Sequence, residues 1–222
     1  MKRNAALSEI SDGKFYRSSD LARLDTGGCE GCSACCHGME ETIVLDPYDI
    51  YRLDQGTGLS FEQLLDGHAK LKVIDGLILP VLDMCGPENT CTFLDENGWC
   101  SIHKARPGIC RLFPLGRYYE GNDFRYFLQI HECGRNKAKV RIRSWLDTPN
   151  LEQYEDYIRT WHGWTVSLEH FLEGEPDVLR KKVCIFLLEQ FYQRAWDPER
   201  DFYVQFQERL REAGERLGIA GS

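Results

Sequence analysis

The sequence predicts an α+β protein in which an irregular, cysteine-rich region with short hairpins precedes an amphipathic helical C-terminal region. Nine of the ten cysteines lie between Cys29 and Cys133. Turn signals separate short apolar runs in that window, whereas apolar residues recur at helical spacing after residue 147. We therefore divide the chain into an N-terminal extension (1–28), a cysteine-cluster domain (29–147) and a C-terminal helical region (148–222).

The composition is that of a globular protein, with 42% hydrophobic and 28% charged residues. No apolar run is long enough for a transmembrane helix, and the opening residues MKRNAALSEI lack a secretory apolar core. These features predict a cytoplasmic protein without a membrane partner. Thiols stay reduced in the cytoplasm, so clustered cysteines indicate metal binding or redox chemistry rather than a disulfide framework.

Charge is unevenly distributed along the chain. The net charge of −8 argues against wholesale nucleic-acid binding, but residues 101–145 contain ten Lys/Arg and only three Asp/Glu. The alternation of basic and apolar residues over 137–143 predicts a half-buried strand with a basic outer face. That face could bind phosphate, RNA or an acidic protein, or it could only protect a sheet edge, which is the simpler interpretation.

Two helices are predicted before residue 66 from their N-terminal caps. Asp46 followed by Pro47 predicts a helix that ends near Gly56 and Gly58. Ser60 with Gln63 predicts a capping box that opens the next helix. Weaker patterns suggest a short helix around residues 20–24 and a strand over 42–45.

Hairpins and long helices account for most of the remaining chain. Three hairpins are predicted from turn residues between apolar runs: 71–82 around Asp75-Gly76, 91–102 around residues 95–98, and 118–130 around Gly121-Asn122. Apolar spacings of three and four predict three amphipathic helices over 151–173, 177–195 and 201–217.

The first cysteine cluster is Cys29-x-x-Cys32-x-x-Cys35-Cys36. Thiolates three residues apart on a glycine-rich loop can converge on one zinc ion or iron–sulfur cluster. Adjacent side chains of an extended backbone point to opposite faces, so Cys35 and Cys36 do not readily share one tetrahedral ion. Either Cys36 serves a second metal or one of the pair is a spare or redox thiol, which favours a polynuclear or two-site centre.

The second cluster supplies further thiols from Cys91, Cys100, Cys110 and Cys133. Cys91 and Cys100 lie at opposite ends of the predicted second hairpin, which could place them side by side. Cys85 is either a core residue or a ligand, and Cys184, inside an apolar helix, is interpreted as core. We expect the metal bound by these clusters to staple the irregular region together.

Several of these segments resemble the YkgJ-type CxxCxxCC cysteine-cluster family, which is described as a zinc- or iron-chelating domain and often labelled iron–sulfur-containing. The resemblance covers residues 27–135. It rests on the first cluster, the stretch Leu45-Asp46-Pro47-Tyr48-Asp49-Ile50, Cys91-Thr92-Phe93-Leu94-Asp95, and Cys100-Ser101-Ile102-His103-x-x-Arg106-Pro107-x-x-Cys110-Arg111-Leu112-Phe113-Pro114.

The resemblance implies a set of eight metal-associated cysteines: Cys29, Cys32, Cys35, Cys36, Cys91, Cys100, Cys110 and Cys133. His103 falls where the family commonly has tyrosine, which argues against an obligatory ligand. A thiolate-ligated metal centre is anionic, so we interpret Arg106 and Arg111 as cofactor-binding residues that offset its charge.

The predicted function is therefore metal binding by an iron–sulfur cluster or a cysteine-ligated iron centre, with a redox or protein partner for electron transfer. A structural zinc module that contacts protein or RNA is the alternative. A modifying enzyme is a third hypothesis, because a flagellin lysine methylase is similar to this family. The sequence has no glycine-rich nucleotide fingerprint to support that enzyme.

Overall fold

The computed structural model of the protein describes residues 7–25, 32–130, 132–133 and 138–219. Within them, helices and small antiparallel strand pairs are mixed, which confirms the α+β prediction. The strands form four separate two-stranded sheets, and the longest helices follow residue 150. Stapling by a metal stays a prediction.

Two of the predicted hairpins are present with nearly the expected limits. Strand β2 (Ala69–Ile74) pairs with β3 (Leu77–Leu82) around Asp75-Gly76, where both residues have positive φ angles. Strand β6 (Leu115–Glu120) pairs with β7 (Asp123–Leu128) around a glycine of φ 60° at Gly121. Turn chemistry alone located these hairpins because both strands are close in sequence.

The hairpin predicted over 91–102 forms only near its turn. Leu94 is paired antiparallel with Cys100, the Asp95 amide donates to the Trp99 carbonyl and the Ser101 amide donates to the Phe93 carbonyl, but Cys91 does not join this pairing. Cys91 instead ends the short strand β5 (Thr90–Cys91), which pairs with β4 (Met84–Cys85) on its N-terminal side. The turn Gly86–Asn89 closes that pairing and places Cys91 opposite Met84.

The short helix predicted around residues 20–24 is also wrong. These residues form strand β1 (Leu21–Asp25), which pairs antiparallel with β8 (Ala138–Arg141), more than 100 residues away in sequence. The alternation that buries Ala22 and Leu24 while Leu21 and Arg23 stay exposed fits a strand with one face on the core. Tertiary pairing therefore overrides a weak helical pattern.

Strand β8 confirms the basic strand only as far as Arg141. Helix α5 (Ile142–Leu146) begins at the next residue, so Ile142 and Arg143 are helical rather than extended. The buried side chains of Ile142 and Leu146, four residues apart, give α5 its inner face. Of the predicted basic face, Lys139, Arg141 and Arg143 are exposed, and Lys137 lies outside the described residues.

Both capped helices form as predicted. Helix α2 (Pro47–Thr57) begins with a reciprocal capping box between Asp46 and Asp49 and ends at Gly58, which has a φ of 72°. Helix α3 (Phe61–Leu65) begins with the Ser60–Gln63 capping box. The strand predicted over 42–45 is reduced to one bridge between Val44 and Val81.

The C-terminal helices confirm the helical pattern and cover the hairpins. They are α6 (Leu151–Leu172), α7 (Asp177–Leu188), a π-helical turn (Glu189–Gln193) and α8 (Phe202–Leu217). The remaining helices are short: α1 (Leu7–Ile10) and α4 (Gly108–Leu112). In the part of the chain that the structure describes, no helix has the length and apolarity needed to cross a membrane.

One hydrophobic core links all three predicted segments. Leu24 of the N-terminal segment, Leu45 and Leu53 of the cysteine-rich region, and Trp164 and Phe206 of the C-terminal helices are buried in the same cluster. The Tyr192 hydroxyl also donates to the Leu45 carbonyl at 3.2 Å. The limits 1–28, 29–147 and 148–222 as separate units stay a prediction.

Candidate metal centre

The described thiols of the two clusters are carried by short, irregular elements. A single 3₁₀ turn, Ala34–Cys36, carries Cys35 and Cys36, and β5 carries Cys91. Cys100 lies at the bridge to Leu94, and the one-and-a-half-turn helix α4 carries Cys110. Cys29, the first predicted ligand, lies outside the described residues.

Backbone pairing brings the first cluster to the second. His37, directly after Cys36, forms a β-bridge with Thr90, directly before Cys91, and its Nδ1 lies 3.1 Å from the Thr90 Oγ1. The Gly38 amide donates to the Asn89 carbonyl at 3.0 Å. The chain segments that carry Cys36 and Cys91 therefore run side by side, although 54 residues separate them in sequence.

The adjacent pair is chemically asymmetric. A hydrogen bond from the Cys36 thiol lowers the pKa of Cys35 to about 7, with help from the positive charge of Arg106. The same hydrogen bond and burial raise the pKa of Cys36 strongly. Cys35 is therefore the more acidic thiol of the pair. Only the thiolate is a good ligand or nucleophile. At the same pH, Cys35 is therefore more readily available than Cys36 for metal binding.

The other thiols are held in the protonated form by burial and by one another. Burial raises the pKa values of Cys91, Cys100 and Cys110, and negative charge on neighbouring thiols raises them further. For Cys110, the largest contribution after burial is the negative charge of Asp49, followed by the thiols of Cys35, Cys91 and Cys100. Several thiolates in this site would repel one another, and a bound cation would offset that repulsion.

Five cysteines thus interact electrostatically as one group: Cys35, Cys36, Cys91, Cys100 and Cys110. We call these residues the thiol cluster. Cys85 is exposed at its edge, where its charge acts on Cys91. Cys32 and Cys133 are half-buried, and their part in the site stays a prediction, as does that of Cys29.

Cys184 lies apart from the cluster in the core. It is 2% exposed in α7, and its sulfur accepts a hydrogen bond from the Ile78 amide at 3.4 Å. This thiol therefore packs the helix against β3.

The two predicted cofactor-binding arginines lie in different surroundings. The positive charge of Arg106 lowers the pKa values of Cys35 and Cys100, and its Nη1 lies 2.9 Å from the His103 Nε2. Arg111 is only 4% exposed, and its guanidinium lies against the rings of Tyr48 and Tyr154, 5.9 and 5.5 Å from their centroids. Arg106 therefore acts on the thiols, whereas Arg111 anchors α4 in the aromatic core.

Sequence reasoning missed one charged residue that contacts the site. Asp49 is 2% exposed, and its Oδ1 accepts the Gly108 amide at 2.7 Å, at the start of the helix that carries Cys110. Burial, together with the charge of Asp46, raises the pKa of Asp49 to about 7. An aspartate at the third position of a helix normally indicates a capping box with the residue before the helix. The sequence therefore did not indicate that Asp49 also accepts the Gly108 amide.

The donor chemistry of the thiol cluster fits a soft or borderline metal such as zinc or iron, because sulfur ligands dominate. Among the described residues, no three His, Cys, Asp or Glu side chains already form a coordination set. The fit is therefore one of donor type and electrostatics.

A family comparison agrees with this donor set. The model of the CxxCxxCC family, described as a "putative zinc- or iron-chelating domain", matches residues 28–134. Residues 28–134, just under half of the chain, are therefore similar to the CxxCxxCC family. The match spans the thiol cluster, both adjacent arginines and Asp49. No curated protein and no solved structure shows significant similarity to the chain.

Proposed function

We propose that the protein binds an iron–sulfur cluster or a cysteine-ligated iron centre and uses it for electron transfer. The observation that carries this proposal is the thiol cluster. Its five thiols exceed the four ligands of a single tetrahedral zinc ion, and they include the adjacent pair Cys35-Cys36. A polynuclear or two-site centre can bind more than four thiolates and so accounts for the fifth thiol.

The chain's own residues would hold and tune the metal. Cys35, Cys91, Cys100 and Cys110 would bind it as thiolates, and we expect Cys29, Cys32 and Cys133 to complete the set. An iron centre would supply a one-electron couple, and Arg106 would offset part of the negative charge of its thiolates. Cys36 would hold a proton on the thiol cluster until metal binding displaces it.

Anaerobic purification followed by metal, sulfide and visible-absorption analysis tests the proposal. We expect iron in stoichiometric or higher amount and a broad visible absorption that bleaches on reduction. A colourless protein with stoichiometric zinc and neither iron nor sulfide would overturn the iron centre.

A structural zinc module is the second candidate, and the family description supports it as directly as iron. Such a module would use the exposed side chains of Lys139 and Arg141 or the helical surface to contact a partner. Zinc-loaded protein without a redox couple between −700 and +450 mV, about the range of iron–sulfur centres, would favour it. Salt-sensitive RNA retention lost on Lys139→Glu and Arg141→Glu would identify the partner as RNA.

A further inference from the structure

One face of helix α2 contacts the segment between Cys100 and Cys110 at three points. The residues are Asp49, Arg52 and Gly56, spaced three and four apart and therefore on one side of the helix. None of them is a candidate metal ligand. They meet residues 104–108, which precede Cys110.

The contact at Asp49 joins two helix starts. Its Oδ1 accepts the Gly108 amide at 2.7 Å, and its Oδ2 accepts the Asp46 amide at 3.1 Å. One carboxylate thus satisfies the first turn of α2 and the first amide of α4 together. Because Asp49 is buried, water cannot replace either carboxylate oxygen without rearrangement of the surrounding chain. Loss of the carboxylate would therefore leave two amides without an acceptor.

The two other contacts follow the chain back from Gly108. The Arg52 Nη2 donates to the Lys104 carbonyl. A Cβ atom built on Gly56 would lie 2.3 Å from the Ala105 Cβ, so the helix and the segment are in direct backbone-to-side-chain contact. Residues 104–108 are therefore held along about two turns of α2.

Helix α6 also contacts the start of α4, beside Asp49. A Cβ atom on Gly108 would lie 2.3 Å from the Tyr154 hydroxyl oxygen, so this hydroxyl fills the space beside the start of α4. The guanidinium of Arg111, one residue after Cys110, lies against the rings of Tyr48 and Tyr154. The backbone on both sides of Cys110 is thereby clamped by residues that lie outside the cysteine motif.

We propose that Asp49 is a positioning residue, which sets where the Cys110 thiol stands relative to Cys35, Cys91 and Cys100. The inference rests on the proposed metal binding but not on the identity of the metal. The other thiols are held by different contacts: Cys35 by its 3₁₀ turn and Cys91 by β5. We therefore expect the loss of Asp49 to displace Cys110 and to leave Cys35 and Cys91 in place.

The test uses the full chain with cobalt(II) as the metal probe. The sulfur-to-cobalt charge-transfer absorption reports the number of bound thiolates, and competition with a chelator gives the affinity. We expect Asp49→Ala to weaken cobalt binding about 10- to 100-fold and to remove the share of the absorption that Cys110→Ala removes. Asp49→Asn keeps one acceptor oxygen, so we expect an intermediate loss.

A double-mutant cycle separates positioning from general destabilisation. In the Cys110→Ala background, Asp49→Ala should cause no further loss of cobalt affinity. The matched control is Gln205→Ala, which removes a buried polar side chain of 5% exposure in α8 and should leave the absorption unchanged.

Each outcome is decisive. An unchanged Asp49→Ala spectrum, or an equal loss in both backgrounds, overturns the positioning role while the proposed function stands. A wild-type chain without a thiolate absorption overturns the proposed function and the positioning role with it. If Asp49→Ala does not fold, Asp49→Asn carries the same comparison.

Discussion

At the scale of single residues, the site depends on how charge is distributed among side chains of the same type. Cys35 and Cys36 are neighbours in sequence, yet one hydrogen bond lowers the pKa of the first and raises that of the second. Arg106 lowers the pKa values of Cys35 and Cys100, whereas Arg111 packs against two tyrosine rings. The family resemblance implied a set of thiols for the site, whereas the protonation of those thiols depends on three-dimensional neighbours.

The first prediction concerns the ligands. Cys110→Ala should lower bound metal because Cys110 belongs to the thiol cluster, and Cys184→Ala should leave metal content unchanged because Cys184 packs in α7. Metal content per chain after anaerobic purification measures both effects. Cys184→Ala is also a matched control, since it makes the same side-chain change outside the thiol cluster. Equal loss of metal in the two variants would contradict the assignment of the thiol cluster.

The second prediction is a pH dependence of stability in the metal-free protein. Burial raises the pKa of Asp49 from 3.8 to about 7, so the folded state retains a proton that the unfolded state has lost. This contribution is therefore present at about pH 4 and is lost as the pH rises to about 7. It amounts to about 1.4 kcal/mol of unfolding free energy for each pH unit in that range.

Urea unfolding at pH 5.0 and pH 6.5 measures this effect. The wild-type protein should be less stable at the higher pH, and Asp49→Asn, which cannot ionise, should show a smaller difference. Parallel changes in the two proteins would mean that Asp49 does not titrate in this range.

At the scale of secondary structure, local signals predicted the elements whose contacts are local. The capping boxes of α2 and α3 and the turns of two hairpins involve residues within a few positions, so the sequence located them. The prediction of a helix over residues 20–24 failed because these residues form β1, whose partner β8 lies more than 100 residues away. The hairpin predicted over 91–102 was only partly correct for a different reason. Its turn forms and pairs Leu94 with Cys100, but Cys91 pairs with Met84 across the preceding turn.

The third prediction tests the close contact between α4 and α6. Gly108→Ala should destabilise the protein by about 1–3 kcal/mol, because the added methyl group would lie 2.3 Å from the Tyr154 hydroxyl. Tyr154→Phe removes that oxygen, and the next atom of the ring is 3.6 Å away. The double variant should therefore recover part of the lost stability, as measured by urea unfolding.

Gly67→Ala provides the control for this pair, because nothing lies within 4 Å of a Cβ atom at that position. It should change stability little. If Gly108→Ala is no more harmful than Gly67→Ala, the Tyr154 hydroxyl does not restrict α4.

At the scale of the whole molecule, the C-terminal helices and the cysteine-rich region share buried contacts. The Tyr48 amide donates to the Tyr157 hydroxyl at 3.0 Å, and the Tyr192 hydroxyl donates to the Leu45 carbonyl. Tyr48 also packs edge-on against Phe202 of α8, with ring centroids 4.9 Å apart. The helices therefore cover the inner face of α2, whose other contacts reach α4 and Cys110.

The fourth prediction follows from that cover. A fragment of residues 1–147 should be less stable than the full chain, because removing α6 to α8 exposes the apolar side chains of α2 and β3. Thermal unfolding and protease resistance of the fragment, beside the full chain, measure the loss. A fragment with full-length stability would instead support an independent domain that ends near residue 147.

The sequence by itself determined the α+β class, the C-terminal helices, the capped helices and the cysteine clusters, because caps, turns and periodicity act over a few residues. The CxxCxxCC motif also sufficed for the family. Only the tertiary structure decided that Cys35, Cys36, Cys91, Cys100 and Cys110 form one electrostatic group, and that Asp49 and Tyr154 hold the helix of Cys110. Most of those contacts join residues that are far apart in sequence, and the packing of the whole chain brings them together.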